Sequence, residues 1–197
     1  MPRSARTITP DDIVPDAAFA VERAARRAAL LPVKQRRRIA LGPVCTFYFE
    51  SFETMLFQVQ EMLLIEKGGA PQLADELAAY NPLIPQGEEL VATIMFEIDE
   101  PVRRARLLGS LGGVEDHFFV QVGAERAPGR PEGDVERSRE DGKTSSVHFL
   151  RFALSPRQIA AFRDPQVQIM LGCDDPRYPH LAMLGPEVRA ELARDFG

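Results

Sequence analysis

The amino-acid sequence predicts a single α+β domain over residues 1–197, in which a mostly antiparallel sheet of about four to six strands packs against a buried helix. Residues 51–66 carry apolar side chains on nearly every side of a helix, which is typical of a helix that is buried or shared at an interface. From residue 90 onward, apolar and polar residues alternate with the period of a strand. Helical patterns come early and strand patterns late, which favours α+β over a doubly wound parallel sheet.

Further short helices are predicted from capping residues and helix breakers. Asp16 begins a helix rich in alanine and arginine, and Pro32 is expected to end it because a proline inside a helix removes a backbone hydrogen bond. Ser155 and Gln158 have the spacing of a capping box. The predicted ranges, besides the buried helix, are 16–30, 71–80, 101–108, 156–163 and 186–196.

Strands are predicted where apolar residues alternate or form short runs. The first two are joined by Gly42 and Pro43, which are typical of a hairpin turn. The predicted strand ranges are 36–41, 45–49, 90–98, 116–122, 144–152 and 166–171. The apolar sides that are expected to face the buried helix lie within 90–98, 118–122 and 167–171. Residues 124–143 are polar and rich in Gly and Pro, so they are expected to form a long excursion.

Charge and composition restrict the partners. The net charge of −5 argues against nucleic acid as a partner, because proteins that bind it are usually basic. The basic run at 34–38 either lines a solvated strand edge or forms a docking patch for phosphate or a protein. No apolar run approaches the ~20 residues that span a bilayer, and Asp11 and Asp12 stand where a signal sequence would be apolar, so no membrane partner and a cytoplasmic location are expected. Cys45 and Cys173 are too few for a disulfide framework.

A polar stripe runs along the otherwise apolar helix and is the candidate functional site. The stripe consists of Glu50, Thr54, Gln58 and Glu61, at spacings of four, four and three. An unpaired polar group that is taken out of water costs about 1–3 kcal/mol, and a carboxylate costs more. We therefore expect Glu50, Gln58 and Glu61 to be largely buried and hydrogen-bonded from the sheet side, with at least one arginine within reach. Their partner could also be a ligand.

Two histidines on predicted strands extend this candidate site. His117 or His148 is expected within hydrogen-bonding reach of the stripe. In one interpretation, each is an ordinary hydrogen-bonded residue of a sheet. In the other, they join Glu50 or Glu61 in a metal site that suits iron, manganese or zinc. The two histidines can share a sheet face only if His148 points away from the core, and the sequence leaves this open.

Five strings of residues also carry a family resemblance. They are residues 42–50, 57–62, 78–85, 89–93 and 145–152. In order and spacing they resemble an uncharacterised bacterial family, domain of unknown function 3501, over the range 8–196. The family pattern is matched at Glu50, Gln58, Glu61, His117 and His148. Similar members have His-Pro-x-Tyr where this chain has Asp175-Pro-Arg-Tyr178, so His180 is a poor candidate for a ligand.

The resemblance implies an association. Genes of this family tend to lie beside those for a rubrerythrin-like di-iron protein and an iron–sulfur oxidoreductase, which implies a role near peroxide detoxification or electron transfer. The first functional hypothesis is therefore a non-catalytic accessory or binding protein of a rubrerythrin-type system, with one of these redox proteins as its partner. The alternative is a metal-binding protein or metal-dependent enzyme that uses His117 and His148 with Glu50 or Glu61.

A homodimer is predicted from the amount of apolar surface. One side of one sheet cannot plausibly cover all of the large apolar side chains around the buried helix, and exposed apolar patches usually mark interfaces. The side chains concerned are Phe47, Phe49, Phe57, Leu64 and Ile65.

Overall fold

The computed structural model describes residues 6–131 and 144–197. These residues form six α-helices: α1 (Asp16–Arg36), α2 (Phe52–Glu66), α3 (Gly69–Tyr80), α4 (Pro101–Ser110), α5 (Pro156–Arg163) and α6 (Pro186–Leu192). They also form nine strands: β1 (Arg38–Leu41), β2 (Cys45–Phe49), β3 (Glu89–Phe96), β4 (Phe118–Val122), β5 (Glu125–Pro128), β6 (Arg130–Pro131), β7 (Val147–Ala153), β8 (Ile169–Cys173) and β9 (His180–Met183). In this part of the chain, no helix is both long and apolar enough to cross a membrane.

The strands form two antiparallel sheets. The first sheet has the order β1-β2-β3-β7-β6, and the second has the order β5-β4-β8-β9. The α+β class with antiparallel pairing is confirmed, and the second sheet is an addition to the single sheet that was predicted. Within the polar excursion at 124–143, the first part contributes β5 and β6, and residues 132–143 lie outside the described residues.

The main hydrophobic core lies between the two sheets. The rings of Phe47 in β2 and Phe118 in β4 meet edge to face, with 5.2 Å between their centroids. Leu90 and Ile94 in β3 belong to the same core, whereas Val91 belongs to a separate cluster that contains the apolar face of α2. The predicted packing of the apolar segments 90–98, 118–122 and 167–171 against the buried helix is therefore wrong. Because β3 is buried on both faces, its more apolar side packs against the second sheet and its other side, the outer face of the first sheet, receives α2.

This packing removes most of the surface from which the homodimer was predicted. Phe47 and Phe49 are buried between the sheets, and Phe57 packs edge to face on Phe19 of α1 with 5.8 Å between ring centroids. Leu64 is half-buried, and Ile65 is 63% exposed. The homodimer stays a prediction, now without the phenylalanines as its basis.

The helix α1 continues past Pro32 to Arg36, which corrects the predicted end at residue 30. A proline inside a helix costs about 3 kcal/mol, so other contacts must offset this cost. Arg37, directly after α1, supplies such contacts, because its buried guanidinium binds Asp195 and Glu191. The basic run at 34–38 is therefore mostly the end of a helix, and β1 starts only at Arg38.

Candidate functional site

A cavity of about 230 Å³ lies where the end of α1 and the start of α2 meet the outer face of the first sheet. Its lining is mixed: the polar residues are Lys34, Arg37, Glu50, Thr54, Gln58 and Thr93, and the walls include Tyr48, Met55 and Met95. We call this space the Glu50 cavity. It contains three of the four residues of the polar stripe, Glu50, Thr54 and Gln58.

The carboxylate of Glu50 is buried in this cavity. Its backbone N–H donates to the carbonyl of Val91 at 2.8 Å, which continues the pairing of β2 with β3 by one residue. Ser51 then caps α2, because its Oγ accepts a hydrogen bond from the backbone N–H of Thr54 at 3.3 Å. A strand end and a helix start therefore fix the position of Glu50 from both sides.

Two threonine hydroxyls hold the Glu50 carboxylate. Thr54 Oγ1 donates to Oε2 at 2.7 Å, and Thr93 Oγ1 donates to Oε1 at 2.7 Å. Glu50 is only 8% exposed, and this burial raises the pKa of its carboxyl group, although the two hydroxyl bonds act in the opposite direction. The prediction that Glu50 is buried and satisfied from the sheet side is confirmed through Thr93.

The two basic residues of the cavity are used in different ways. The guanidinium of Arg37 makes five hydrogen bonds: its donors reach both carboxylate oxygens of Asp195, the side chain and the carbonyl of Glu191, and the carbonyl of Glu50. An arginine has five N–H donors, so Arg37 has none left for a ligand. Within the described part of the chain, the side-chain ammonium group of Lys34 makes no hydrogen bond or ion pair, and its charge favours the ionised form of Glu50.

Glu61 lies outside this cavity and has a structural partner. Arg23 on α1 donates to both of its carboxylate oxygens, each at 2.7 Å. These hydrogen bonds lower the pKa of Glu61, whose side chain is 16% exposed. The expected arginine is present, but it comes from α1 and not from the sheet side as predicted. Gln58 is half-buried, and its nearest partner is the hydroxyl of Tyr80 on α3 at 3.5 Å.

His148 lies on the other face of the first sheet from Glu50. It is opposite Ile94 in the pairing of β7 with β3, fully buried, and packs edge to face on Phe96 in the core between the sheets. Its Nε2 donates to the carbonyl of Ser145 at 2.9 Å. His148 therefore points toward the core, and the expectation that it could reach the polar stripe is wrong.

His117 belongs to a third location. It ends a 3₁₀ turn just before β4 in the second sheet, and its Nδ1 is 3.0 Å from Oδ1 of Asp174. His117 was predicted to lie within a strand over 116–122, but residues 114–117 form the 3₁₀ turn and β4 begins only at Phe118.

The four residues of the predicted metal site, Glu50, Glu61, His117 and His148, are thus at separate places in the fold. Within residues 6–131 and 144–197, no group of three or more His, Cys, Asp or Glu side chains could hold a metal ion. The structure therefore gives no geometry for an iron, manganese or zinc centre built from these four residues.

Both cysteines are buried and poorly suited to nucleophilic or redox chemistry. Burial raises the pKa of Cys173 to about 11, and it raises the pKa of Cys45 further above the usual value. The reactive form of a cysteine is the thiolate, so these thiols are unreactive at neutral pH.

Sequence reasoning missed Lys34, Tyr48 and Thr93 as members of the site. Lys34 was missed because Pro32 was expected to end α1 before it. Tyr48 and Thr93 face each other across β2 and β3, so a correct pairing of these strands is the signal that could have identified them.

The comparisons with known proteins identify a family. No curated protein matches the chain. A crystal structure described as that of a novel protein of unknown function from Burkholderia pseudomallei K96243 is similar, with a TM-score of 0.89 and 36% sequence identity. The match covers 97% of this chain and 100% of that chain. A family model described as "Protein of unknown function (DUF3501)" matches residues 7–196, and the chain therefore belongs to the DUF3501 family.

Proposed function

We propose that this protein is a non-catalytic binding protein and that the Glu50 cavity is its ligand site. The observation that carries the proposal is a buried carboxylate that faces a cavity and accepts hydrogen bonds from two neutral hydroxyl groups. Within the described residues, no side-chain cation is bonded to it.

This arrangement is costly for folding and useful for binding. A buried carboxylate loses its hydration, and two neutral hydrogen bonds replace only part of it. An ionised carboxylate has about four acceptor positions on its two oxygens, so Glu50 retains acceptor capacity toward the cavity. A ligand that brings a donor or a positive charge would recover the lost solvation, and this recovery would contribute to its affinity.

The accessory role in a rubrerythrin-type redox system is part of the same proposal. It is supported by the family resemblance and by the high pKa values of both cysteine thiols, which favour binding over redox chemistry by the chain itself. In this role, the protein would act through a bound small molecule or through docking to the rubrerythrin-like or iron–sulfur partner.

The ligand site is tested with a panel of small metabolites and the variant Glu50→Gln. The variant keeps the shape of the side chain and removes its charge. Glu187→Gln is the matched control, because Glu187 is exposed on α6. We expect at least one compound to raise the melting temperature of the wild type and the control but not of Glu50→Gln. A panel without any binder, or binders that are insensitive to Glu50→Gln, would contradict the proposed site.

The accessory role needs a separate experiment. The purified protein is mixed with a purified rubrerythrin-like protein, the class of partner that the family resemblance implies, and complex formation is followed by sedimentation velocity. A complex at micromolar concentration supports the role, whereas independent sedimentation of the two proteins, with and without the cavity ligand, contradicts it.

A further inference from the structure

We propose that the ligand of the Glu50 cavity is a small amino carboxylate, whose ammonium group binds Glu50 and whose carboxylate binds Lys34. This inference rests on the proposed ligand site and adds the chemical class of the ligand.

The Glu50 end of the cavity is suited to a positively charged group. Each carboxylate oxygen of Glu50 already accepts one hydrogen bond from a threonine, Thr54 or Thr93. Each oxygen therefore retains a further acceptor position for a ligand. A primary ammonium group has three donors and a full charge, so it would compensate the buried carboxylate more completely than a neutral donor. Arg37 cannot play this part, because all of its donors are engaged.

The Lys34 end of the same cavity is suited to a negatively charged group. Lys34 lines the cavity, and in the described part of the chain its ammonium group has no partner. No ion pair joins it to Glu50, although its charge acts on that carboxylate. Two opposite charges therefore line one cavity without touching, and a ligand that carries both charges can bridge them.

The surfaces between the two charged ends are compatible with a short aliphatic chain. Met55 of α2 and Met95 of β3 contribute thioether side chains to the wall, and Tyr48 contributes its ring. The hydroxyl of Tyr48 donates to Glu97 at 2.7 Å, which holds the ring in place. The methylene groups of the ligand would lie against these apolar surfaces.

The test is a titration calorimetry series with probes of increasing length: glycine, β-alanine, γ-aminobutyrate and δ-aminovalerate. Butylamine and butyrate are the comparison compounds, each with one of the two charges. We expect at least one amino carboxylate to bind about tenfold or more tightly than either comparison compound, since each charged contact contributes about a factor of ten. We also expect Glu50→Gln and Lys34→Gln each to weaken this probe by about tenfold.

The matched control is Lys67→Gln, which removes an exposed lysine at the end of α2, outside the cavity. It should leave the affinity unchanged. Suppose that butylamine binds with the same affinity as every amino carboxylate and that this affinity depends on Glu50 but not on Lys34. This result would overturn the inference and leave the proposed site intact. Binding of butyrate alone, or of no probe, would also overturn the inference, and the metabolite panel would then decide the proposed function independently.

Discussion

Two carboxylates near α2 have opposite surroundings, and their pKa values shift in opposite directions. Burial raises the pKa of Glu50, whose carboxylate accepts hydrogen bonds from the neutral hydroxyl groups of Thr54 and Thr93. The hydrogen bonds from Arg23 lower the pKa of Glu61. Glu61 therefore stabilises the fold when it is ionised, whereas the ionisation of Glu50 opposes folding.

The variant Glu61→Gln should lose a modest amount of stability at neutral pH, because it removes the ion pair between α1 and α2. Arg23 is 42% exposed, so solvent screens the pair and the loss should be small. Because the pKa of Glu61 is lowered in the folded state, the pair stabilises the fold at pH values above the unfolded-state pKa of about 4.3. This stabilisation is lost as the pH falls through the folded-state pKa. Urea unfolding should show a difference between wild type and variant at pH 7 that narrows on acidification. A difference that grows on acidification would contradict this assignment.

Gly42 is required by a close approach as well as by its backbone conformation. Its φ is +70°, and a Cβ at this position would lie 2.6 Å from Nε2 of His180. Gly69 has almost the same φ, +71°, but nothing lies within 4 Å of its Cβ position. Gly69→Ala should cost only the backbone term of about 1–2 kcal/mol, and Gly42→Ala should cost clearly more. Equal losses in chemical unfolding of the two variants would show that the His180 contact is unimportant.

At the scale of elements, a buried ion-pair network joins the end of α1 to the C-terminal part of the chain. The Arg37 guanidinium lies 2.6 Å from Asp195 and 3.3 Å from Glu191, and all three residues are buried. This network holds the residues after Pro32 in place and so positions Lys34 at the Glu50 cavity.

Removal of one partner from this network should be severe. Arg37→Met leaves two buried carboxylates without their main cation, for which we expect a loss of about 3–5 kcal/mol in the free energy of unfolding. Arg36→Met is the control, since Arg36 reaches Glu191 from a partly exposed position; its loss should be about 1 kcal/mol or less. If Arg37→Met and Arg36→Met lose similar amounts of stability in denaturant unfolding, burial of the network does not determine how much it contributes to stability.

The elements that were predicted best are those specified by local signals. The strand at 45–49 was placed with its observed bounds, and the buried helix differs by one residue because Ser51 is its cap. The end of α1 could not be predicted locally, because the contacts that offset Pro32 come from Asp195 and Glu191 near the other end of the chain. Glu50 and Gln58 were identifiable from the sequence because they belong to a local helical pattern. Lys34 was not, because its position at the cavity depends on these distant contacts.

At the scale of the whole molecule, stability comes mainly from the core between the two sheets. Phe47 is fully buried there and contacts Phe118, Phe49 and Phe152. Phe47→Ala should cost about 3–5 kcal/mol, which is typical of a buried phenylalanine. The control Ile65→Ala, at an exposed position, should change stability by about 0.5 kcal/mol or less. A small loss for Phe47→Ala in urea unfolding would contradict the packing of one sheet on the other.

The α+β class was predictable because period and capping signals are local. The division into two sheets was not, since β5 and β6 begin in the polar excursion and β9 follows a proline-rich loop, where neither segment has a strong strand pattern. Without the second sheet, the alternating apolar side of β3 had no partner other than α2. This explains why the wrong face was assigned to the helix.

The role of Glu50 as a ligand-binding group is tested most directly by the pH dependence of stability in Glu50→Gln. Because the pKa of Glu50 is raised in the folded state, the folded protein holds its proton more tightly than the unfolded chain does. The wild type should therefore lose stability as pH rises from the unfolded-state value of about 4.3 through the folded-state pKa, and Glu50→Gln should lack this loss. We predict that the variant is at least as stable as the wild type at pH 7, while its affinity for the cavity ligand is lower by about tenfold. A variant that is less stable by about 1 kcal/mol or more at pH 7 would show that Glu50 serves the fold and would contradict its role as a ligand-binding group.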